Sequence, residues 1–376
     1  MKPHCIKPTV ISLFVLSSLS YTLGATYFLK ENIVGESFYS HFDWEAVADP
    51  NHGRVNYVDQ DTSVAQNLTY ANFDTFILRT DYTTVLSAED PGRNSVRIRS
   101  KNTYTTHVAI TWPGIKETKE SDKPKGNYAH LRHQGLVDIV EGINDQPPNS
   151  ITLHTTEVFD VLITTELTIY GERMYHARHA TSERFYHFLY FCPMTEPLLC
   201  RISGQLDCNT LVNSNAGCGV TNPGSSDYGP EFNVKGGGWY VVERAPDHIS
   251  IWFWSRHDPS IPHELKYGSF EVDSRKWGVP VAYFPNDTCN PMSKYFEENN
   301  IIINLTLCGD WAGTAYGQSG CPSTCIGTKL DSTYETLILM SPLSRSVLDF
   351  VNNNPDAFVD AYFDFAAIRV YQPVAY

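Results

Sequence analysis

The stretch Gly135-Leu-Val-Asp-Ile-Val-Glu-Gly-Ile-Asn-Asp-Gln-Pro-Pro-Asn-Ser-Ile-Thr-Leu-His-Thr155 decides how the rest of the chain is read. Apolar β-branched residues dominate its first half and Pro147-Pro148 closes it, which predicts a strand, a turn and a second strand ending near His154. Side chains alternate along a strand, so Leu136 and Asp138 share one face and Val137 and Ile139 the other. Glu141 lies three steps beyond Asp138, and simple alternation sends it to the opposite face. An extra residue at Ile139-Val140, a β-bulge, brings Glu141 back beside Asp138, and bulges concentrate next to active sites. Two carboxylates on one face have their pKa values driven apart, which makes an acid and a neighbouring base from the same chemical group. Taken alone, Asp-x-x-Glu is equally a pair of surface acids.

The surroundings narrow the choice. Gly-Leu-Val-Asp-Ile-Val-Glu-Gly-Ile-Asn-Asp-Gln followed by Thr-Leu-His-Thr resembles the catalytic strand of glycoside hydrolase family 16, in particular the fungal laminarinase-like endo-1,3(4)-β-glucanases. That family carries Glu-x-Asp-x-x-Glu, a nucleophile, an assisting Asp and an acid/base. The resemblance places the acid/base at Glu141, the assisting acid at Asp138 and the nucleophile at Leu136, which has no carboxylate to attack with. It also implies that His154 helps position nucleophile and substrate. Retaining hydrolysis of β-1,3- or mixed β-1,3/1,4-glucan is the implied activity, with β-glucan the partner and no metal or organic cofactor. The alternative is a β-glucan-binding protein without catalysis.

Bulk composition agrees with a carbohydrate-active β protein. Net charge is −14 with 19% charged residues, which argues against nucleic acid, since phosphate binding needs basic patches. Aromatic residues make up 13% of the 376, including 22 Tyr and 7 Trp, which suits β-sheet cores and sugar-stacking surfaces. At the N-terminus, Lys2 and Lys7 precede the apolar run Val10–Leu19 and the small residues around Ala25, the pattern of a signal peptide over 1–25. That run is too short to span a bilayer, so a secreted monomer outside the membrane is expected, with one domain over 26–376. Three sequons fit export, at Asn67, Asn286 and Asn304. Asn304 alternates away from Ile301, Ile303, Leu305 and Leu307, which predicts that it faces solvent.

Cys5 leaves with the signal peptide, and in an oxidising compartment the remaining cysteines read as disulfides rather than metal ligands. Cys208–Cys218 and Cys289–Cys308 are the preferred pairs, with Cys321 and Cys325 as further candidates. His176, His179 and His187, at spacings of three and eight, would need a helix and a carboxylate partner to hold a metal, so no metal site is expected.

Along the rest of the chain, the segment Tyr27–Asp59 looks like the family's wrapping N-terminal segment, and Asn56 and Asp59 either touch sugar or serve turns. Ser95–Ser100 alternates, with Val96 and Ile98 inward and Arg97 and Arg99 outward. Trp252 and Trp254 share a strand face opposite Ile249, Ile251 and Phe253, and either stack on pyranose rings or pack inside the sandwich. Cys308-Gly-Asp-Trp-Ala-Gly places Trp311 at the end of the cleft by resemblance. Three segments depart from the family. Between Ile110 and Gln134 the Trp-bearing floor strand is expected to be missing, with Lys116–Lys125 an exposed loop. Inserts occupy 158–199 and 326–347, as evolved loops or unspliced intron sequence would. Many short alternating strands separated by turn residues predict an all-β fold of two stacked antiparallel sheets, and the resemblance specifies a β-jelly-roll sandwich with an open cleft.

Overall fold

The computed structural model describes residues 26–87, 89–113, 127–133, 137–155, 169–170, 173–174, 201–202, 208–211, 214–221, 226–286, 292–319 and 350–374. Residues 1–25, both inserts for nearly all their length, and Cys192, Cys200, Cys289, Cys321 and Cys325 lie outside them. Among the described residues no helix is long and apolar enough to cross a membrane.

Period-2 patterning builds two large antiparallel sheets. The first runs Glu271–Asp273, Thr26–Ile33, Tyr362–Gln372, His107–Pro113, Gly238–Arg244, His248–Ser255 and Ala282–Pro285, with Phe76–Arg79 also paired to Tyr362–Gln372. The second runs Arg201–Ile202, Cys218–Thr221, Gln146–Leu153, Val137–Ile143, Asn127–His133, Ile301–Leu307, Arg97–Ser100 and Phe42–Trp44. Between the sheets lies the main core, where Val96, Ile98, Ile139, Ile151, Leu153, Ile301 and Ile303 meet Tyr240, Val242, Ile249, Ile251, Phe365 and Ile368. The expected jelly-roll sandwich is the fold observed.

The second sheet corrects one expectation. Asn127–His133 is a strand, and it fills the place between Val137–Ile143 and Ile301–Leu307, paired to both. A strand therefore fills the place expected to be empty, although it carries none of the tryptophans of the expected floor. Its alternation, Tyr128, His130 and Arg132 against Ala129 and Leu131, was there to be read. Histidine and arginine at the polar positions, next to a charged run, hid it.

A smaller core covers the outer face of the first sheet. Trp239, Val241, Trp252, Trp254, Tyr27 and Val108 pack there beneath Leu265 and Trp277. The helix His263–Tyr267 supplies Leu265, and Trp252 meets Trp277 edge-on at 5.2 Å. The predicted alternation along His248–Ser255 holds, with Ile249 and Ile251 in the main core and Trp252 and Trp254 in the outer one.

Candidate active site

The site is built on the hairpin of Val137–Ile143 and Gln146–Leu153. Its two-residue turn, Asn144-Asp145, has both residues at positive φ, 52° and 58°, the geometry that matches strand twist in tight hairpins. Asn144 also donates to the Ala312 carbonyl at 3.1 Å, tying the turn to the helix Asp310–Ala315. Gly142 is required for space, because the Tyr228 ring occupies the place where a Cβ would stand.

The bulge forms where the spacing predicts it. Asp138 pairs with Thr152 and Glu141 with Ser150, so Ile139 and Val140 together face the single residue Ile151. Toward Asn127–His133 the register likewise slips between Asp138 and Val140. Both acids are consequently on one face and buried. His154 Nε2 lies 3.1 Å from Asp138 Oδ2, and Thr152 donates its hydroxyl to Glu141 Oε2 at 3.1 Å. Donor atoms of Asp138, Glu141 and His154 lie within 4.8 Å of one another. Among the described residues this is the one group that could surround a metal ion, and the same convergence serves proton transfer.

His154 is bracketed by the Cys208–Cys218 disulfide, which forms as expected. Beside His154, Thr155 donates its N–H to the Cys208 carbonyl at 2.8 Å. Gly217, at φ +63°, packs against the His154 ring with no room for a Cβ. Cys308 is also disulfide-bonded, while its expected partner Cys289 lies outside the described residues. Leu136, at the nucleophile position, lies outside them too.

The face that carries the acids continues across the sheet. Glu141 stands opposite His130, His130 opposite Asn304, and Asn304 opposite Arg97. The N-terminal segment is laid over the Asn304 end of this row. Tyr57 accepts from Asn304 Nδ2 at 3.1 Å and donates its hydroxyl to Asp49, which also binds the Thr306 hydroxyl and the Gly53 N–H. Asn304 is therefore fully buried and cannot carry a glycan in the folded protein, contrary to the expectation. Alternation did send it away from the core; the covering segment comes from far away in the chain. Arg97 is covered in the same way and pairs with Glu45 at 2.8 Å instead of facing water. Asn67 is exposed, at the C-terminal end of the helix Gln60–Ala65.

The expected sugar-binding residues separate. Trp311 is 40% exposed in the first turn of Asp310–Ala315, at the end of the sheet where the hairpin turn lies. Trp252 and Trp254 are buried in the other sheet, so they are packing residues and not part of this face. Asn56 donates to Asn94 at 2.8 Å, and Asn94 to Gln66 at 2.8 Å, a polar ladder with no described contact to the acids. Asp59 caps the helix Gln60–Ala65 by accepting from the Thr62 N–H. Asn149 was missed altogether. It is buried beneath the bulge, and Pro-Pro-Asn-Ser reads as loop rather than strand.

Comparison with known proteins decides the family. The family model described as an XgeA-like catalytic GH16 domain matches residues 42–184 and 194–371. The chain belongs to glycoside hydrolase family 16. A probable glycosidase of Schizosaccharomyces pombe is 31% identical over 363 residues, 92% of this family 16 chain and 70% of that protein. A probable endo-1,3(4)-β-glucanase of Aspergillus clavatus is 30% identical over 99% of this chain, which spans 51% of its length. Among solved structures, the family 16 laminarinase 16A of Phanerochaete chrysosporium, seen with 6-O-glucosyl-laminaritriose in donor and acceptor sites, is 40% identical. It superposes with a TM-score of 0.72, covering 92% of this chain and 100% of that one. An elongating family 16 β-1,3-glucosyltransferase is 27% identical with a TM-score of 0.69, over 92% of this chain and 99% of its own.

Proposed function

We propose that this chain is an exported, monomeric family 16 protein that binds β-1,3- or mixed β-1,3/1,4-glucan over the Glu141 face and is impaired in hydrolysing it. One observation carries the reading: Glu141, Asp138 and His154 converge on a bulged strand whose nucleophile position is Leu136. In a retaining glycosidase a carboxylate about 5–5.5 Å from the acid/base attacks the anomeric carbon, and the acid/base protonates the departing oxygen. Water then breaks the glycosyl ester with the acid/base now accepting a proton. In this reading Glu141 takes the proton steps, and Asp138, 3.1 Å from His154, holds charge beside it. Leucine at 136 removes the attacking atom, so the covalent step has no partner.

The relatives' names support the substrate class, and the leading segment supports export. Laminarin oligosaccharides titrated into the full chain should quench or shift Trp emission, with half-exposed Trp311 as reporter. Retention on insoluble β-glucan together with near-zero reducing-sugar release from laminarin is the expected pair of results. No retention and a flat titration at millimolar oligosaccharide would end the binding reading. Rapid hydrolysis abolished by Glu141→Gln would instead show that another carboxylate has taken over the attack.

A further inference from the structure

The bulge that brings Glu141 beside Asp138 leaves a problem of its own. A bulge interrupts the ladder, so the backbone groups on either side of the extra residue need partners from elsewhere. Here those groups are the Ile139 carbonyl and the Glu141 N–H, which flank Val140. Both find the same side chain. Asn149 donates from Nδ2 to the Ile139 carbonyl at 2.8 Å and accepts from the Glu141 N–H at Oδ1 at 2.9 Å. A carboxamide has the donor and acceptor of a peptide group, so it stands in for the strand residue that the bulge displaces.

Asn149 is itself held from behind. Its backbone N–H donates to Asp227 Oδ1 at 3.1 Å, and Tyr240, from the opposite sheet, donates its hydroxyl to the Asp227 carbonyl. The chain of contacts therefore runs from the body of the sandwich through Asp227 and Asn149 to the backbone of the acid/base.

We propose that Asn149 is the positioning residue of this site: its carboxamide locks the bulge at Val140 and so sets where the Glu141 carboxyl stands relative to Asp138. The assignment rests on the reading of Glu141 as the working acid of a glucan site, but its geometry is independent of residue 136. Hydrogen-bonding capacity at position 149, and not size alone, then sets the geometry. An ionised Asp at 149 accepts from the Glu141 N–H but turns a second acceptor toward the Ile139 carbonyl; a protonated Asp restores the donor.

The test uses the full chain with carboxyl-labelled glutamate, the Glu141 resonance being the one lost in Glu141→Gln. Wild type, Asn149→Ala and Asn149→Asp are titrated by NMR and compared for laminari-oligosaccharide affinity. In folded Asn149→Ala the Glu141 midpoint should move by about half a pH unit or more and affinity should fall about fivefold. Asn149→Asp should resemble Ala at neutral pH and return toward wild type in acid. A Glu141 midpoint in folded Asn149→Ala that coincides with wild type overturns the assignment. Should Asn149→Ala fail to fold, absence of acid recovery in Asn149→Asp overturns it instead. If wild type binds no oligosaccharide, the glucan reading fails while the Glu141 titration still judges Asn149.

Discussion

A carboxylate at position 136 would come two residues before Asp138 in the sequence, the spacing that strand alternation sends to one face. The strand Asn127–His133 pairs with Val137–Ile143, so the sheet beside the acids is continuous, although it lacks the tryptophans of the expected floor. Leu136→Glu should accordingly give measurable laminarin hydrolysis with retention at the anomeric carbon. The rate should still be well below that of an intact relative, since a misplacement of about 1 Å costs on the order of a hundredfold. Anomer-resolved NMR of the products checks it, and Glu141→Gln added to Leu136→Glu should remove the gain. Trp254→Ala makes a contrast. This ring is buried in the outer core, so its loss should cost about 3–5 kcal/mol of stability, read from denaturant midpoints. Glucan affinity of the fraction still folded should be unchanged.

Among the elements, the hairpin was the most legible and its neighbours the least. For Asp138 and Glu141, at a spacing of three, to share one face, the strand must bulge at the β-branched pair between them. What a strand pattern cannot announce is what lies on top of it. Asn304 and Arg97 alternate outward as predicted, yet the N-terminal segment covers them, and Trp252 and Trp254 point outward from their sheet into a second core. Asn149 escaped because its partners are backbone groups, which leave no residue-type signature. The disulfide-bonded segment meets the His154 neighbourhood through Cys208 and Gly217. Replacing Cys208 and Cys218 by Ser opens a short loop, which should cost roughly 2–3 kcal/mol by the chain-entropy relation. Because Gly217 packs on the His154 ring, the same change should weaken glucan binding, measurable by calorimetry beside the unfolding curve.

Across the whole molecule, acid stability should depend on a histidine remote from the Asp138–Glu141 pair. His107 is completely buried in the first sheet, where burial pulls its pKa from 6.5 down to about 4. Like charge on Arg244 adds to the depression, and the bond to the Thr105 carbonyl opposes it. The unfolded chain takes up a proton as pH falls through 6.5, while the folded chain resists until about 4. Stability is thus full above pH 6.5 and falls toward pH 4, by about 3 kcal/mol from this group. His107→Gln should flatten that part of the pH–stability curve, whatever its effect on the neutral plateau. An unchanged slope between these limits would remove His107 from the account.

The burial of Asn304 has a consequence in time as well as in space. Its amide nitrogen is the atom a glycan would occupy, and once Tyr57 closes over the sheet that atom is out of reach. In an exported chain the sequon is exposed only while the N-terminal segment has yet to dock. Glycan on Asn304 would therefore record how long a molecule stayed open, and a modified molecule could never finish closing. Slow-folding variants should accumulate that mark, while exposed Asn67 stays open to modification in fast and slow folders alike.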